Sequence, residues 1–242
     1  MTISSLLDID SLELHDFLAI KMKTSLSTQD LTKYLASQLN SVMPDNRQVE
    51  PGDLLEHVRT ASSKLEFSFS HTRRKYFHDG VDAVFSHLQS DQYSMFLYLV
   101  SRAIRESGGD LELASKIYCL NKMLHSIDVY FEVRMPDIFL FRHCVGTVLG
   151  RAEYADYFTV GANCTVGNSD GIYPTFHEGV ALYNGSMVAG ECRIESNAHI
   201  SAHTLVLNQN VPSGNLAFGR SPELTCKPSR RNVQDRFFNS LA

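Results

Sequence analysis

Three histidines in the second half of the chain carry the side chain most often used for metal binding and proton transfer. They are His177, His199 and His203. A zinc site needs three convergent ligands and a second shell that orients them. His199 and His203 have the opposite parity to the apolar Ile200, so in a strand they point outward. Because nothing in the spacing brings His177 to them, we expect no metal site and favour outward histidines lining a cofactor groove.

A basic cluster near the C-terminus is the second candidate for chemistry. It consists of Arg220 and residues 227–231, with the sequence KPSRR. Arginine and lysine suit phosphate recognition, so Arg220 and Lys227 could form a phosphate clamp. A solvated tail is the equally weighted alternative.

The chain around the three histidines repeats with a period of six. Apolar residues recur at Leu182, Val188, Ile194, Ile200 and Val206, and small residues follow four positions later at Ser186, Cys192, Ala198 and Thr204. Six steps along a strand return to the same face, whereas six steps of an α-helix spread residues around its axis. Such hexapeptide repeats mark a parallel β-helix, whose apolar residues fill the core while the small ones turn its corners. A sandwich of short strands is the alternative, but its turns vary more in length.

The six-residue phase breaks once within this region. The interval from Val166 to Leu182 is sixteen residues, and the segment NSDGIYPTF (residues 168–176) lies inside it. A phase break in a solenoid predicts a loop that leaves the coil, and such loops often carry function.

The first half of the chain has a helical period instead. Ser27 with Asp30 resembles a capping pair, Pro51 suits the first turn of a second helix, and Asp110 caps a later one. Residues 66–80 are predicted as a loop or a helix start. Near Val133 the pattern changes to short apolar runs. We therefore predict an α+β protein with a helical N-terminal domain over residues 1–129, a parallel β-helix over 130–220 and a C-terminal tail over 221–242.

Composition excludes several classes of protein. The 242 residues are 43 % hydrophobic and 20 % charged, and the net charge of −5 argues against nucleic-acid binding. No apolar run reaches eighteen residues, so we expect no membrane span. Acidic residues within the first 17 positions argue against a signal peptide. The five cysteines fit reduced thiols in a cytoplasmic protein, and Cys144, Cys164 and Cys192 are expected to pack inside the repeats.

Three segments, in this order, resemble the serine acetyltransferase family of hexapeptide-repeat acyltransferases. Residues 143–150 (HCVGTVLG) match its H-x-x-G-x-V-x-G segment. Pro174 with residues 178–180 (EGV) matches the family's P-x-x-x-E-G-V segment. Residues 211–212 (VP) and Gly219 match the V-P and G-x-P segments with which the family leaves its last coils. The match covers roughly half of the chain, and the order and spacing are more specific than any single segment.

The resemblance implies a left-handed β-helix, assembly as a trimer or a multiple of three, and acetyl-CoA as donor. By the same resemblance His143 is the general base that takes the proton of an acceptor hydroxyl. Such a histidine needs a carboxylate to fix its tautomer. Glu132 and Asp137 are the nearby candidates, and each is equally well explained as a solvated strand-edge acid.

The resemblance also suggests where the ligands bind. CoA is expected along the outside of the last coils, near Gly185, Ala202 and His203, with its adenine end toward Arg220 and Lys227. Backbone N–H groups at the coil corners could hold the oxyanion. We find no candidate nucleophile for a covalent acyl-enzyme, so attack on the thioester is expected to be direct.

Two departures from the family concern the acceptor. The acid that binds serine directly before the catalytic histidine is Arg142 here, and the family's Arg-His pair is replaced by Ile172 and Tyr173. Both changes put L-serine in doubt. A sugar hydroxyl could instead be placed by Tyr173, Asn168 and Asp170.

These features predict an acetyl-CoA-dependent O-acetyltransferase of the serine acetyltransferase type. The alternative enzyme is a sugar O- or N-acetyltransferase of surface-polysaccharide biosynthesis. A non-catalytic hexapeptide-repeat subunit used for assembly is the alternative from another class, and failure to bind CoA would favour it.

Overall fold

The computed structural model describes residues 22–239, which form a helical region followed by a β-solenoid. The helices are α1 (Thr28–Val42), α2 (Pro51–Ser70), α3 (Ser90–Glu106), α4 (Leu111–His125) and the short α5 (Val233–Phe237). A parallel pair, β1 (Lys23–Thr24) and β2 (Val84–Phe85), lies beside the first helices. The predicted absence of a signal peptide concerns residues outside the described ones.

Local sequence fixes where the helices begin. The Ser27 hydroxyl accepts the N–H of Asp30 at the start of α1, and the Asp110 carboxylate accepts two backbone N–H groups at the start of α4. Pro51 occupies the first turn of α2, as predicted. The ambiguous segment over 66–80 is resolved as the last turn of α2 followed by a loop, because α2 continues to Ser70.

The solenoid consists of short strands that wind through three sheets. Its strands are β3 (Asp128–Val129), β4 (Phe139–Phe141), β5 (Val148–Leu149), β6 (Glu153–Tyr154), β7 (Phe158–Val160), β8 (Thr165–Gly167), β9 (Thr175–Phe176), β10 (Ala181–Leu182), β11 (Met187–Ala189), β12 (Arg193–Ile194), β13 (His199–Ile200), β14 (Leu205–Leu207), β15 (Asn215–Phe218) and β16 (Thr225–Pro228). The six-stranded sheet has the order β16-β15-β13-β10-β7-β4, the five-stranded sheet β14-β11-β8-β5-β3 and the three-stranded sheet β12-β9-β6. All pairs are parallel except β15 with β16.

The six-residue pattern predicted the inward face correctly. Leu182, Ile194, Ile200 and Val206 are fully buried in the core. The small residues Cys192, Ala198 and Thr204 are also buried, because the chain turns tightly where they lie. The predicted parallel solenoid after a helical region is therefore confirmed.

The helical region packs directly on the first coil. Helix α3 contacts β4, and the hydroxyl of Tyr98 on α3 donates to the carbonyl of Val133 at 2.7 Å. At the other end, the C-terminal segment (residues 229–239) runs back over the outer face of the six-stranded sheet. It buries Phe237 and Phe238 completely and ends beside Thr72 after α2. In the described part of the chain, no helix has the length and apolar character needed to cross a membrane.

Candidate active site

His143 lies in an enlarged corner between the six-stranded and five-stranded sheets, which we call the histidine corner (residues 142–147). The corner runs from Phe141 at the end of β4 to Val148 at the start of β5, a distance of seven residues along the chain. In each of the three coils above, the residues that pair with these two are only five apart. The added length pushes the backbone out of the coil. His143 adopts a φ of 52°, and its side chain is 89 % exposed. A histidine presented in this way is open to a ligand.

A buried carboxylate of the helical region lies behind this corner. Asp91 Oδ2 is 3.9 Å from Nδ1 of His143, and its side chain is only 7 % exposed. Its Oδ1 accepts the N–H of Cys144 at 3.4 Å, and Gly146 N–H donates to the carbonyl of Ser126 at 2.9 Å. A distance of 3.9 Å is beyond a direct hydrogen bond, so the carboxylate lies next to the ring without bonding to it. Helix α3 therefore positions the histidine corner from below.

The carboxylates predicted to orient His143 lie elsewhere. Glu132 pairs with Arg151 at 2.6 Å and with Arg105 at 3.6 Å. Asp137 is exposed, and with Glu132 it lines a cavity of about 690 Å³ between the helices and the solenoid. Within the described residues, Asp91 is the one carboxylate within 4.0 Å of a ring nitrogen of His143. The geometry therefore gives no support to Glu132 or Asp137 in this role.

The predicted acceptor residues form a compact phase-break loop (residues 168–173). Ser169 and Ile172 pair as an antiparallel bridge, and the amide of Asn168 donates to the hydroxyl of Tyr173 at 3.2 Å. The loop follows β8 and lies at the end of β5, where the Tyr173 ring lies against Gly150. Exposed Asp170 lies at its tip with a φ of 52°. His143 precedes β5, so the five-stranded sheet separates it from this loop within one chain.

The predicted cofactor residues Gly185, Ala202 and His203 lie on the same edge of the solenoid as His143. Gly185 and His203 have positive φ angles of 73° and 59°, and they stack above Gly146 and Asn163 at corresponding corner positions. A Cβ on Gly185 would lie 2.5 Å from Nδ1 of His203, so only glycine fits there without a shift. At the usual spacing of about 4.8 Å between strands, this column rises about 14 Å from the histidine corner.

The two basic residues predicted to hold the adenine end are separated. Lys227 on β16 lies with Ala202 on the wall of a cavity of about 520 Å³, and its ammonium is 5.4 Å from the ring centroid of Phe218. Arg220 pairs instead with Leu205 at the top of the five-stranded sheet. The structure therefore brings Lys227, but not Arg220, next to Ala202.

Arg142, the residue directly before His143, turns onto the outer face of the six-stranded sheet. Its Nε donates to Thr159 Oγ1 at 2.8 Å, and its guanidinium carbon lies 4.4 Å from the centroid of the Phe237 ring. Burial, with the nearby charges of Arg74 and Arg236, lowers the pKa of Arg142 to about 10. Phe237 comes from the C-terminal segment, a contact that residue spacing could not predict.

The side chains of the three histidines considered for metal binding have different neighbours. His199 Nε2 lies 2.8 Å from the carbonyl of Arg231, so the C-terminal segment covers a side chain that was expected to be open. His177 Nε2 is 3.7 Å from Glu195, and His203 stacks over Gly185. Across residues 22–239, no three His, Cys, Asp or Glu side chains are grouped as metal ligands.

Comparisons with known proteins agree with this architecture. No protein-family model matches the chain. A serine acetyltransferase of Staphylococcus epidermidis, in two strains, is 25 % identical over 158 residues, which cover 63 % of this chain and 68 % of that protein.

Solved structures share the fold at lower identity. The serine acetyltransferase of Vibrio cholerae superposes with a TM-score of 0.66 at 16 % identity, covering 84 % of this chain and 80 % of that one. The soybean enzyme complexed with serine gives 0.65 at 18 % identity, covering 83 % and 85 %. The Brucella abortus enzyme in complex with coenzyme A gives 0.64 at 14 % identity, covering 86 % and 84 %. The predicted resemblance to serine acetyltransferases is confirmed, and the solenoid is consistent with a left-handed β-helix.

Proposed function

We propose that this protein is an acetyl-CoA-dependent O-acetyltransferase of the serine acetyltransferase type. The observation that carries the proposal is the exposed His143, held in an enlarged solenoid corner with the buried carboxylate of Asp91 3.9 Å from its ring. The names of the relatives support the reaction class, and one of the similar structures was solved with coenzyme A.

In the proposed reaction His143 takes the proton of an acceptor hydroxyl while the oxygen attacks the thioester carbonyl. The new C–O bond forms, the C–S bond breaks, and the proton passes through the imidazole to the leaving thiolate. Asp91 orients the ring and stabilises the imidazolium that forms transiently. The described residues around His143 supply no second nucleophile, because the neighbouring Cys144 is buried and burial raises the pKa of its thiol to about 12. Direct transfer is therefore the proposed route.

The column above His143 fits a long, narrow donor. Gly185 has no side chain, and the ring of the exposed His203 in the coil above lies directly over it. Ala202 joins this column to the cavity that contains Lys227. We therefore propose that the pantetheine arm follows the column, with Lys227 near the phosphates. Arg220 pairs with Leu205 at the top of the five-stranded sheet and does not line this cavity, so it is left out of the proposed clamp.

We also propose assembly around a threefold axis, as a trimer or a multiple of three. The outer face of the five-stranded sheet exposes the apolar side chains of Val148, Met187 and Leu207, at 41, 39 and 40 %. This face lies between the histidine corner and the phase-break loop. In a closed ring of three copies, the corner of one copy can meet the loop of the next, which the single chain does not achieve. The site is then completed between subunits.

The acceptor divides two versions of this function. L-Serine is the acceptor named for the soybean relative. Because Arg142 stands directly before His143, no acid is present at that position to receive an ammonium group. This favours a sugar hydroxyl placed by Tyr173, Asn168 and Asp170. All five cysteines are free thiols, in keeping with the proposed cytoplasmic setting.

The decisive experiment is an acceptor screen that measures thiol release from acetyl-CoA with serine, homoserine and nucleotide sugars. His143→Ala should lower kcat by at least about two orders of magnitude for the active acceptor, the usual contribution of a positioned base. Circular dichroism of the variant must match the unmodified protein. Near-normal turnover would remove His143 from the mechanism, and failure to bind CoA would instead support a non-catalytic assembly subunit.

A further inference from the structure

Three guanidinium groups from distant parts of the chain surround one aromatic ring. The guanidinium carbons of Arg142, Arg74 and Arg236 lie 4.4, 5.0 and 5.3 Å from the centroid of Phe237. Arg142 comes from the histidine corner, Arg74 from the loop after α2 and Arg236 from α5. We call these three residues the arginine cluster.

The arginine cluster has no acidic counterpart in the described part of the chain. No carboxylate there lies within 4.0 Å of any of the three guanidinium groups, whereas Arg102, Arg105 and Arg151 each have such a partner. Three like charges around one ring repel each other, and cation–π contacts offset only part of that repulsion. A bound anion that contacts these guanidinium groups would offset their mutual repulsion.

The side chains of the cluster keep donors free for a ligand. Arg142 uses Nε on Thr159 and Nη2 on the carbonyl of Leu182 at 3.4 Å, which leaves three of its five N–H groups. Arg74 and Arg236 are exposed. Arginine forks match phosphate geometry, so a phosphoryl group is the ligand chemistry that this arrangement suits best.

A cavity of suitable size opens beside the cluster. It measures about 520 Å³, within the range of small-molecule sites, and Tyr183 and Arg236 belong to both the cavity wall and the surroundings of Arg142. Arg230 and Arg231 line it beside Lys227, the residue proposed above for the CoA phosphates, and no carboxylate does. The cavity therefore combines cationic side chains with apolar and aromatic ones, among them Tyr183 and Phe218.

We propose that the arginine cluster binds a phosphoryl group of the acceptor, so that the acetylated hydroxyl compound is a phosphorylated molecule. This inference rests on the proposed acetyltransferase function. Arg142 directly precedes His143 in the chain, so the backbone links the arginine cluster on the outer face of the six-stranded sheet to the histidine corner. The phosphates of CoA have the same chemistry, and the experiment must separate the two sources.

The first test measures binding of inorganic pyrophosphate by titration calorimetry. Arg74→Gln and Arg236→Gln should each weaken its affinity at least about tenfold, the effect of losing one charged contact of about 1.4 kcal/mol or more. Both side chains are exposed, so folding should be retained. Arg59→Gln, which removes one charge from an ion pair with Glu56 on α2, is the control and should leave the affinity unchanged. Equal affinities in all four proteins would overturn the proposal.

The second test identifies the source of the phosphoryl group. With a phosphorylated acceptor found in the screen, Arg236→Gln should raise KM for the acceptor and leave KM for acetyl-CoA unchanged. A raised KM for acetyl-CoA with an unchanged KM for the acceptor would overturn the acceptor assignment and show that the cluster binds the phosphates of CoA. Absence of thiol release with every acceptor would contradict the acetyltransferase function itself, whereas acetyl transfer with unaltered pyrophosphate affinity in the variants would contradict only the cluster.

Discussion

Asp91 contacts both the side chain of His143 and the backbone of the next residue. One carboxylate oxygen lies 3.9 Å from Nδ1 of the ring, and the other accepts the N–H of Cys144 at 3.4 Å. Because Asp91 is in the first turn of α3, the helical region supplies a part of the solenoid's candidate active site. The helices therefore position a functional group as well as cover the open end of the core.

Asp91→Asn should lower kcat by at least about tenfold with little change in KM. The amide can still accept the N–H of Cys144, so the corner stays in place, but the charge that stabilises the imidazolium is lost. Glu132→Gln is the matched control, since Glu132 pairs with Arg151 and should leave turnover within about twofold. Steady-state kinetics of the two variants test this prediction. A larger loss of kcat in Glu132→Gln than in Asp91→Asn would instead make Glu132 the carboxylate that orients His143.

The contrast between Asp91 and the solenoid shows what the sequence could predict. Six-residue spacing predicted the inward positions of Leu182, Ile200 and Val206, because strand period and coil length are local properties. Asp91 lies far upstream on a helix, and only the packing of α3 against β4 brings it to His143. The sequence also predicted that the side chain of His199 would be exposed. It is covered by the C-terminal segment, which reaches it through long-range contacts that residue spacing does not reveal.

Met187→Asp should dissociate the proposed assembly. Met187 belongs to the apolar face of the five-stranded sheet, where its partners in the neighbouring coils are Thr165 and Leu205. A charge buried and unpaired there in the assembly costs several kcal/mol. Light scattering at micromolar concentration should show a multiple of three copies for the unmodified protein and a monomer for the variant. Glu191→Lys, an exposed change at a neighbouring corner, is the control and should leave the mass unchanged. A monomeric unmodified protein would contradict a site shared between subunits.

Stability should fall as the pH drops below about 6.5. Burial lowers the pKa of His125 and His199 below the ordinary value of 6.5. The unfolded chain then binds protons before the folded one does, so the free energy of unfolding decreases as the pH falls from about 6.5 toward the lowered values. Urea midpoints between about pH 7.5 and about pH 5 measure this. His125→Gln should flatten the dependence, and an unchanged slope would show that His125 does not contribute.

Gly185→Ala should destabilise the fold and weaken acetyl-CoA binding, because the alanine must adopt a φ of 73° and displace the His203 ring. The backbone strain costs about 1–2 kcal/mol. Gly214→Ala is a close control: its φ is 66°, but a Cβ there meets nothing within 4 Å. Gly214→Ala should lose stability through backbone strain alone, Gly185→Ala should lose at least as much, and only Gly185→Ala should raise KM for acetyl-CoA. Equal KM values would show that the column does not carry the donor.

L-Serine should be a poor acceptor. An amino acid brings an ammonium group, and the residue before His143 is a half-buried arginine in place of an acid, so the ammonium finds no acidic partner there. A lost charged contact with a partner left unpaired costs about 2–5 kcal/mol, or roughly 30-fold to several-thousand-fold in affinity. A value of kcat/KM for serine above about 10⁴ M⁻¹s⁻¹ would contradict this argument.

The same comparison tests the phase-break loop. Tyr173 accepts a hydrogen bond from Asn168, and its hydroxyl is the polar group of the loop best placed to meet a sugar hydroxyl across a subunit boundary. Tyr173→Phe removes that hydroxyl but keeps the ring that packs on Gly150. It should therefore raise KM for a sugar acceptor about five- to tenfold, the value of one hydrogen bond, without changing thermal stability. An unchanged KM for the acceptor would place its hydroxyls outside the loop and leave the arginine cluster as the part of the site that selects it.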